Sequence, residues 1–258
     1  MKINPDFKKV AVQAVEEAGK ILEKNFRGPL KTSLKKDSSL VTGVDLAAEK
    51  VIIKLIKKNF PSHDILSEEA GGVIGGKYTW VIDPLDGTTN YTKNFPFFAS
   101  SIALLDGKNP ILGIILNPIT QELYFAEKGG GSFLNGKKIK ISRSAILSRS
   151  VILLNKGREK KDFIKFHKIL GRVGRLCRTF RFWGASSLEL CYVASGRIDG
   201  FIDTGSSPWD FAAGVLIIKE AGGKVTDFNG EDWQPETKNI VATNGKIHNQ
   251  VIKLIKTR

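Results

Sequence analysis

The sequence predicts an α/β protein with an α+β first half, residues 1–150, and an α/β second half, residues 151–258. Three observations lead there. Two helical patterns open the chain, and a run of short strands with tight turns follows them. Beyond Ser150 the pattern changes to strands alternating with helices, which suggests layers of sheet and helix. No internal repeat, low-complexity tract or long linker divides the 258 residues, so one two-lobed unit is expected.

The first helix starts at Asn4, a good N-cap, with Pro5 suited to the first turn. Phe7, Val10, Ala11, Ala14, Val15, Ala18, Ile21 and Leu22 follow the 3.6-residue period, and Gly28-Pro29 ends it. A second helix is expected from Asp45 to Asn59, with Leu46, Val51, Ile52, Leu55 and Ile56 on its buried side and Pro61 as its stop. Tyr78–Ile82 reads as a strand running into an acidic loop. Phe98–Leu105 and Ile111–Leu116 flank Asp106-Gly107-Lys108 as a hairpin, and Leu123–Ala126 follows. Ser132–Ile141 carries Asn135-Gly136, a two-residue hairpin turn. The middle of the chain is thus expected to be an antiparallel meander.

In the second half, strands are expected at Val151–Leu154, Leu176–Phe182, Ile198–Asp203, Lys224–Phe228 and Asn239–Thr243. Helices are expected at Asp162–Leu170, Ser186–Ser195, Trp209–Ala221 (ended by Gly222-Gly223) and His248–Ile255.

Composition narrows the function classes. An apolar fraction of 41% excludes a disordered chain. No apolar run approaches the roughly 20 residues of a membrane span, and the Met1 end has no signal-peptide core, so a soluble cytoplasmic protein is expected. Cys177 and Cys191 make no disulfide scaffold and read as core residues, and three scattered histidines argue against zinc. The net charge of +14 predicts attraction to anions: phosphorylated metabolites, nucleic acid or a membrane surface.

The informative stretch is Trp80-Val81-Ile82-Asp83-Pro84-Leu85-Asp86-Gly87-Thr88-Thr89-Asn90. An apolar strand runs into two carboxylates three positions apart. Pro84 fixes one φ and removes a donor, while Gly87 lets the backbone turn and approach a ligand closely. Thr88 and Thr89 offer hydroxyls and free amides at a helix start, an anion cradle. Carboxylates beside such a cradle repel phosphate unless a divalent cation lies between, and hard oxygen donors suit Mg²⁺. An Asp-rich strand-to-helix cap explains Asp-x-x-Asp alone equally well. Ser67-Glu68-Glu69-Ala70-Gly71-Gly72 alone reads as a solvated loop, and Asp210 in Pro208-Trp209-Asp210-Phe211-Ala212-Ala213-Gly214 as a helix cap. Together they are far more specific.

With these motifs the chain resembles the inositol monophosphatase family of Mg²⁺-dependent, lithium-sensitive phosphatases. Asp83 to Asn90 matches the first family signature, and Trp209 to Gly214 followed by Glu220-Ala221-Gly222-Gly223 matches the second. Leu40-Val41-Thr42-Gly43-Val44-Asp45 looks like its Val-Thr-x-x-Asp element. The resemblance implies a layered αβαβα sugar-phosphatase-type fold and a homodimer. It implies one Mg²⁺ on Glu68, Asp83 and the Leu85 carbonyl, a second on Asp83, Asp86 and Asp210, and in some relatives a third near Glu68. Thr88, bonded to Asp45, would orient and help deprotonate the attacking water, and the amides of Gly87 and Thr88 would bind phosphate. Gly184, Ala185 and Ser186 would contact substrate hydroxyls, as would Asp203, which stands where the family often has Glu and so leaves the substrate open. Thr89, rather than Lys, after Asp-Gly-Thr points to the inositol and sugar phosphatase branches. Inositol 1-phosphate is the first expectation, fructose 1,6-bisphosphate or a broad range of sugar phosphates the second.

Between Asn155 and Arg181 ten Lys or Arg face only Glu159 and Asp162. A solvated surface is the simplest reading. Steering of an anionic substrate, or a second phosphate on Arg181, comes next, and nucleic-acid binding last, since no recognised module accompanies the tract. Gly129-Gly130-Gly131 lacks the Lys-Ser/Thr of a P-loop and reads as a turn. Trp183 and Trp233 read as packing or lining residues.

Overall fold

The computed structural model describes residues 4–30, 32–34, 40–157 and 159–256. Arg158 of the basic tract and the residues at the Met1 end lie outside these. Two helices, α1 (Pro5–Asn25) and α2 (Gly43–Asn59), bracket a small hairpin of β1 (Thr32–Leu34) and β2 (Leu40–Thr42). Asn4 caps α1 by accepting from the Asp6 N–H at 3.0 Å, as its position before Pro5 predicts.

The strands β3 (Asp64–Ser67), β4 (Gly71–Gly72) and β5 (Tyr78–Asp86) come next, then the short helix α3 (Thr88–Thr92). The meander continues through β6 (Ala99–Asp106), β7 (Asn109–Asn117), β8 (Glu122–Glu127), β9 (Gly131–Leu134) and β10 (Lys137–Lys138). These form one eight-stranded sheet, ordered β10-β9-β8-β7-β6-β5-β3-β4, antiparallel except where β3 runs parallel to β5. The expected meander is present. The β9–β10 turn has Asn135 at φ 47° and Gly136 at φ 76°, the left-handed pair that such a tight hairpin requires.

The second half holds β11 (Val151–Asn155), α4 (Lys160–Val173), β12 (Thr179–Arg181), α5 (Ser186–Ala194), β13 (Gly200–Asp203), α6 (Pro208–Glu220), β14 (Lys224–Thr226), β15 (Ile240–Thr243) and α7 (His248–Lys256). Its sheet order is β12-β11-β13-β15-β14, with β15 alone running against the other four.

Side-chain alternation stacks these pieces. On β5, Trp80 and Ile82 face a core shared with α1 and α2, while Val81 faces the opposite core with α5 and α6. On β11, Leu153 joins that same α5–α6 core, while Ile152 and Leu154 face α4 and α7. The layers are therefore α, β, α, β, α, as the resemblance implied. The middle helices are apolar nearly all round because both faces are covered.

The buried side of α2 differs from expectation. Its buried residues are Val44, Asp45, Ala48, Glu49, Ile52 and Ile56, whereas Leu46 is 53% exposed and Val51 and Leu55 are half-buried. Ile52 and Ile56 are buried as expected, but the inward stripe also carries two carboxylates, which turns it away from Leu46. Among the described residues no helix is long and apolar enough to cross a membrane.

Candidate functional site

Asp83 and Asp86 lie on one strand three residues apart, a spacing that in regular β-structure sends side chains to opposite faces. The strand is not regular there. Asp83 pairs with Ser101 but Asp86 with Ala99, so β5 spends one more residue than β6. Pro84, which has no N–H to leave unpaired, falls in this bulge. The Leu85 N–H donates back to Asp83 Oδ1 at 3.0 Å. Both carboxylates thereby reach one place, which Asp210 meets from the start of α6. One oxygen from each of the three lies within 4.8 Å of the others.

Each carboxylate is tethered on one side. Asp210 is the third residue of α6 in a capping box, with its Oδ2 accepting from the Ser207 N–H at 2.7 Å. Asp86 Oδ2 accepts from both the N–H (2.7 Å) and the hydroxyl (2.5 Å) of Ser187, at the start of α5. Glu68 follows β3, and its N–H donates to the Ile82 carbonyl at 3.1 Å, which brings it beside Asp83. Buried Glu49 on α2 accepts from the Ser67 hydroxyl and from the N–H groups of Glu69 (3.1 Å) and Ala70 (2.9 Å), and so fixes the turn carrying Glu68.

Burial pushes the Asp83 and Asp210 carboxyls well above the usual range, and the charges of neighbouring acids add to it. Burial raises Asp86 to about 6, against the lowering effect of Ser187. Such a set of crowded hard oxygens fits a divalent cation, because only positive charge makes their joint ionisation favourable at neutral pH.

The residues of the second predicted group meet alongside. Asp45 is buried and sits third in α2, where Thr42 is the N-cap. Its Oδ2 accepts from the Thr42 N–H at 2.9 Å and from the Thr42 hydroxyl, and its Oδ1 lies 3.3 Å from Thr88 Oγ1. The Thr88 hydroxyl has a second acceptor in the Leu85 carbonyl, at 3.0 Å. Burial raises the Asp45 carboxyl, against the lowering effect of Thr42. Gly87 before α3 is left-handed at φ 86°, and a Cβ there would stand 3.0 Å from that of Ala185 and 3.1 Å from the Phe97 carbonyl. Only glycine lets these loops close.

Ala185 precedes α5 and Gly184 is left-handed at φ 74°. The Ser186 hydroxyl donates to Asp203 Oδ2 at 3.3 Å, while Asp203 also accepts from the Gly205 N–H (2.8 Å) and the Ser206 hydroxyl (2.9 Å). Burial raises Asp203 to about 6. The residues expected to hold metal, activate water or contact substrate are thus linked in one region between the first and second sheets. Sequence reasoning gave no role to Thr42, though it stands in the Val-Thr-x-x-Asp element, and missed Glu49, Asn155, Ser187, Ser207 and Glu189; all six hold those residues in place. The capping spacings Thr42-x-x-Asp45 and Ser207-x-x-Asp210 are legible signals for two of them.

The remaining expectations fall outside this region. Gly129–Gly131 is a turn whose N–H groups donate to Glu220. Cys191 is buried and Cys177 half-buried, and Trp233 is core.

A model described as the inositol monophosphatase family matches residues 4–258. The Nus factor SuhB of Escherichia coli (strain K12) is 40% identical over 243 residues, 92% of this chain and 91% of that protein. Among solved structures, the extragenic suppressor protein suhB of Bartonella henselae superposes with a TM-score of 0.93 at 36% identity, covering 98% of this chain and 99% of that one. The inositol monophosphatase of Anabaena (Nostoc) sp. PCC 7120 superposes with a TM-score of 0.88 at 35% identity, covering 97% and 95%.

Proposed function

Since the chain belongs to the inositol monophosphatase family, we propose that it is a Mg²⁺-dependent phosphomonoesterase that hydrolyses inositol 1-phosphate to inositol and phosphate. The observation that carries this reading is the convergence of Asp83, Asp86 and Asp210 within 4.8 Å, with Glu68 beside them. Glu68, Asp83 and the Leu85 carbonyl would hold one Mg²⁺, and Asp83, Asp86 and Asp210 a second, with a third near Glu68. Bound Mg²⁺ supplies the positive charge that draws in the ester, eases deprotonation of water and offsets charge on the leaving alcohol.

The chain's own groups supply the rest. A water near Thr88 gives its proton to Oγ1 as the Thr88 proton moves towards Asp45 Oδ1, 3.3 Å away. A threonine hydroxyl alone is a poor base, and the carboxylate behind it makes the transfer reasonable. The amides of Gly87 and Thr88 cradle the phosphate. Gly184, Ala185, Ser186 and Asp203 present the surface for the hydroxyls of the alcohol. The protein works in the cytoplasm as a homodimer, with Li⁺ as an inhibitor that takes a vacated Mg²⁺ position.

The alternative substrates are fructose 1,6-bisphosphate and a broad set of sugar phosphates, kept open by Asp203 where Glu is usual. A phosphate-release panel with Mg²⁺ across inositol 1-phosphate, fructose 1,6-bisphosphate and other sugar phosphates tests the reading. Asp83→Asn is expected to abolish turnover in a folded chain. Near-normal turnover of that variant would remove the metal assignment.

A second reading, binding within a transcription complex, draws on the similarity to a Nus factor and on the basic tract. The half-exposed ring of Phe163 lies in that tract and that of Phe182 directly follows it, with Lys156 Nζ 5.5 Å from the centre of the Phe163 ring. RNA binding that is Mg²⁺-independent and collapses in moderate salt would favour it.

A further inference from the structure

Glu189 is fully buried on α5, a helix whose other buried positions are apolar or small. Burying a carboxylate is costly unless donors meet it. Here two N–H donors converge on it from different elements. The Trp183 backbone N–H donates to Oε1 at 3.1 Å, and the Asn155 side-chain amide donates to Oε2. Neither partner belongs to the carboxylate cluster.

Both partners lead to the alcohol side of the site. Asn155 ends β11 directly beside Asp203 on β13. Its Nδ2 also reaches Ser186 Oγ at 3.2 Å, and Ser186 in turn donates to Asp203. The Trp183 peptide is held at its other end too. Its carbonyl accepts from Asn90 Nδ2 at 2.7 Å, and Asn90 also donates to the Phe97 carbonyl at 2.8 Å. Gly184 and Ala185 follow at once, with Ala185 packed against Gly87. One carboxylate therefore ties the backbone before Gly184 to the side chain that meets Ser186.

We propose that Glu189 is a positioning residue that shapes the alcohol-binding wall, acting through Asn155 and Trp183 to set Ser186 and the Gly184–Ala185 turn, and so governs recognition of the substrate's hydroxyl groups. The inference rests on the phosphatase reading above and adds a determinant of specificity to it. The role calls for Glu rather than Gln. Two donors need two acceptors, and a Gln side chain turns its NH₂ towards one of them.

The test uses the full chain with Mg²⁺ and two esters. One is whichever of inositol 1-phosphate and fructose 1,6-bisphosphate the wild type prefers. The other is p-nitrophenyl phosphate, whose alcohol carries no further hydroxyl. Glu189→Gln is expected to raise KM for the first about 3- to 10-fold, the effect of one neutral hydrogen bond. Both constants for p-nitrophenyl phosphate should stay within about twofold. Asn155→Ser, which leaves Glu189 in place, should show the same split and serves if Glu189→Gln does not fold. Equal losses on both esters, or no loss on the polyol ester, overturns the proposal. A wild-type chain that hydrolyses no ester removes the phosphatase reading itself, and the proposal with it.

Discussion

Replacing Asp45 with Asn separates a helix cap from a proton acceptor, because the two duties fall on different oxygens. Oδ2 faces Thr42, whose N–H and hydroxyl both converge on it. Oδ1 faces Thr88 at 3.3 Å. An Asn side chain keeps its single oxygen where two donors meet, towards Thr42, and presents NH₂ to Thr88. The capping box survives, so the stability change is expected below about 1 kcal/mol, or within about 2–4 °C in melting temperature for a chain of this size. Removing a carboxyl that burial disfavours in its charged form works in the compensating direction. Turnover is expected to fall about 10²- to 10⁴-fold, equivalent to roughly 3–5 kcal/mol of barrier. The effect on rate thus exceeds the effect on folding by several-fold. Steady-state phosphate release and circular-dichroism melts on the same preparation measure both. Thr88→Ala should cost a similar factor in rate and the double variant little more, since the pair acts as one unit. Thr42→Ala should do the reverse, losing about 1 kcal/mol of stability with a smaller loss of rate. Wild-type turnover in folded Asp45→Asn, or losses that multiply in the double variant, would refute the pairing.

Ser187→Ala removes the hydroxyl donor to Asp86 and leaves the Ser187 N–H, so Mg²⁺ affinity in a titration should weaken about 10-fold. A cation must displace protons from a cluster in which burial raises Asp86 to about 6 and holds Asp83 and Asp210 well above the usual carboxylate range, so the Mg²⁺-induced rise in melting temperature should shrink as pH falls from 7 to 5. A rise independent of pH would argue against these ligands. His248 is buried between the hydroxyls of Thr226 and Thr243, and burial lowers its pKa from 6.5 to about 4. Its folded pKa lies below the unfolded one, so its contribution is whole above pH 6.5 and is lost as pH falls towards 4. Urea midpoints of His248→Gln should therefore fall less than those of the wild type across that window. Steady-state assays across Li⁺ concentrations should show inhibition, and complete resistance would weaken assignment to the inositol-specific branch.

The acidic loop and the long helices were legible because their signals are local: a period, a cap, a Pro-Leu-Asp-Gly run. The buried side of α2 is legible only in part: Ile52 and Ile56 are buried as expected, but Asp45 and Glu49 belong to the inward stripe too, while Leu46, an apolar residue, lies outside it. A hydrophobic period places carboxylates in water, and here the site overrides it. β3 was missed as well, since four residues with only Ile65 and Leu66 apolar give little pattern, and its pairing with β5 is what defines it. The partners of the site residues were out of reach for a different reason. Ser187 and Asp86 stand 101 positions apart and Glu189 and Asn155 stand 34 apart, and no spacing rule reaches that far. The bulge at Pro84 is an intermediate case: the residues announce an irregular strand, but only the register with β6 shows that both carboxylates turn the same way.

The hydrogen bonds from Ser187 to Asp86 also bear on how the chain acquires activity during synthesis. Asp83 and Asp86 leave the ribosome early, Ser187 later, and Asp210 last of the three elements that converge. Until α6 has been made, the eight-stranded sheet carries its acids without their third member or their tether. On the proposed function, a partly made chain that lacks Asp210 is therefore expected to show no turnover. Appearance of turnover in a timed translation reaction should accordingly coincide with completion of the second sheet rather than the first.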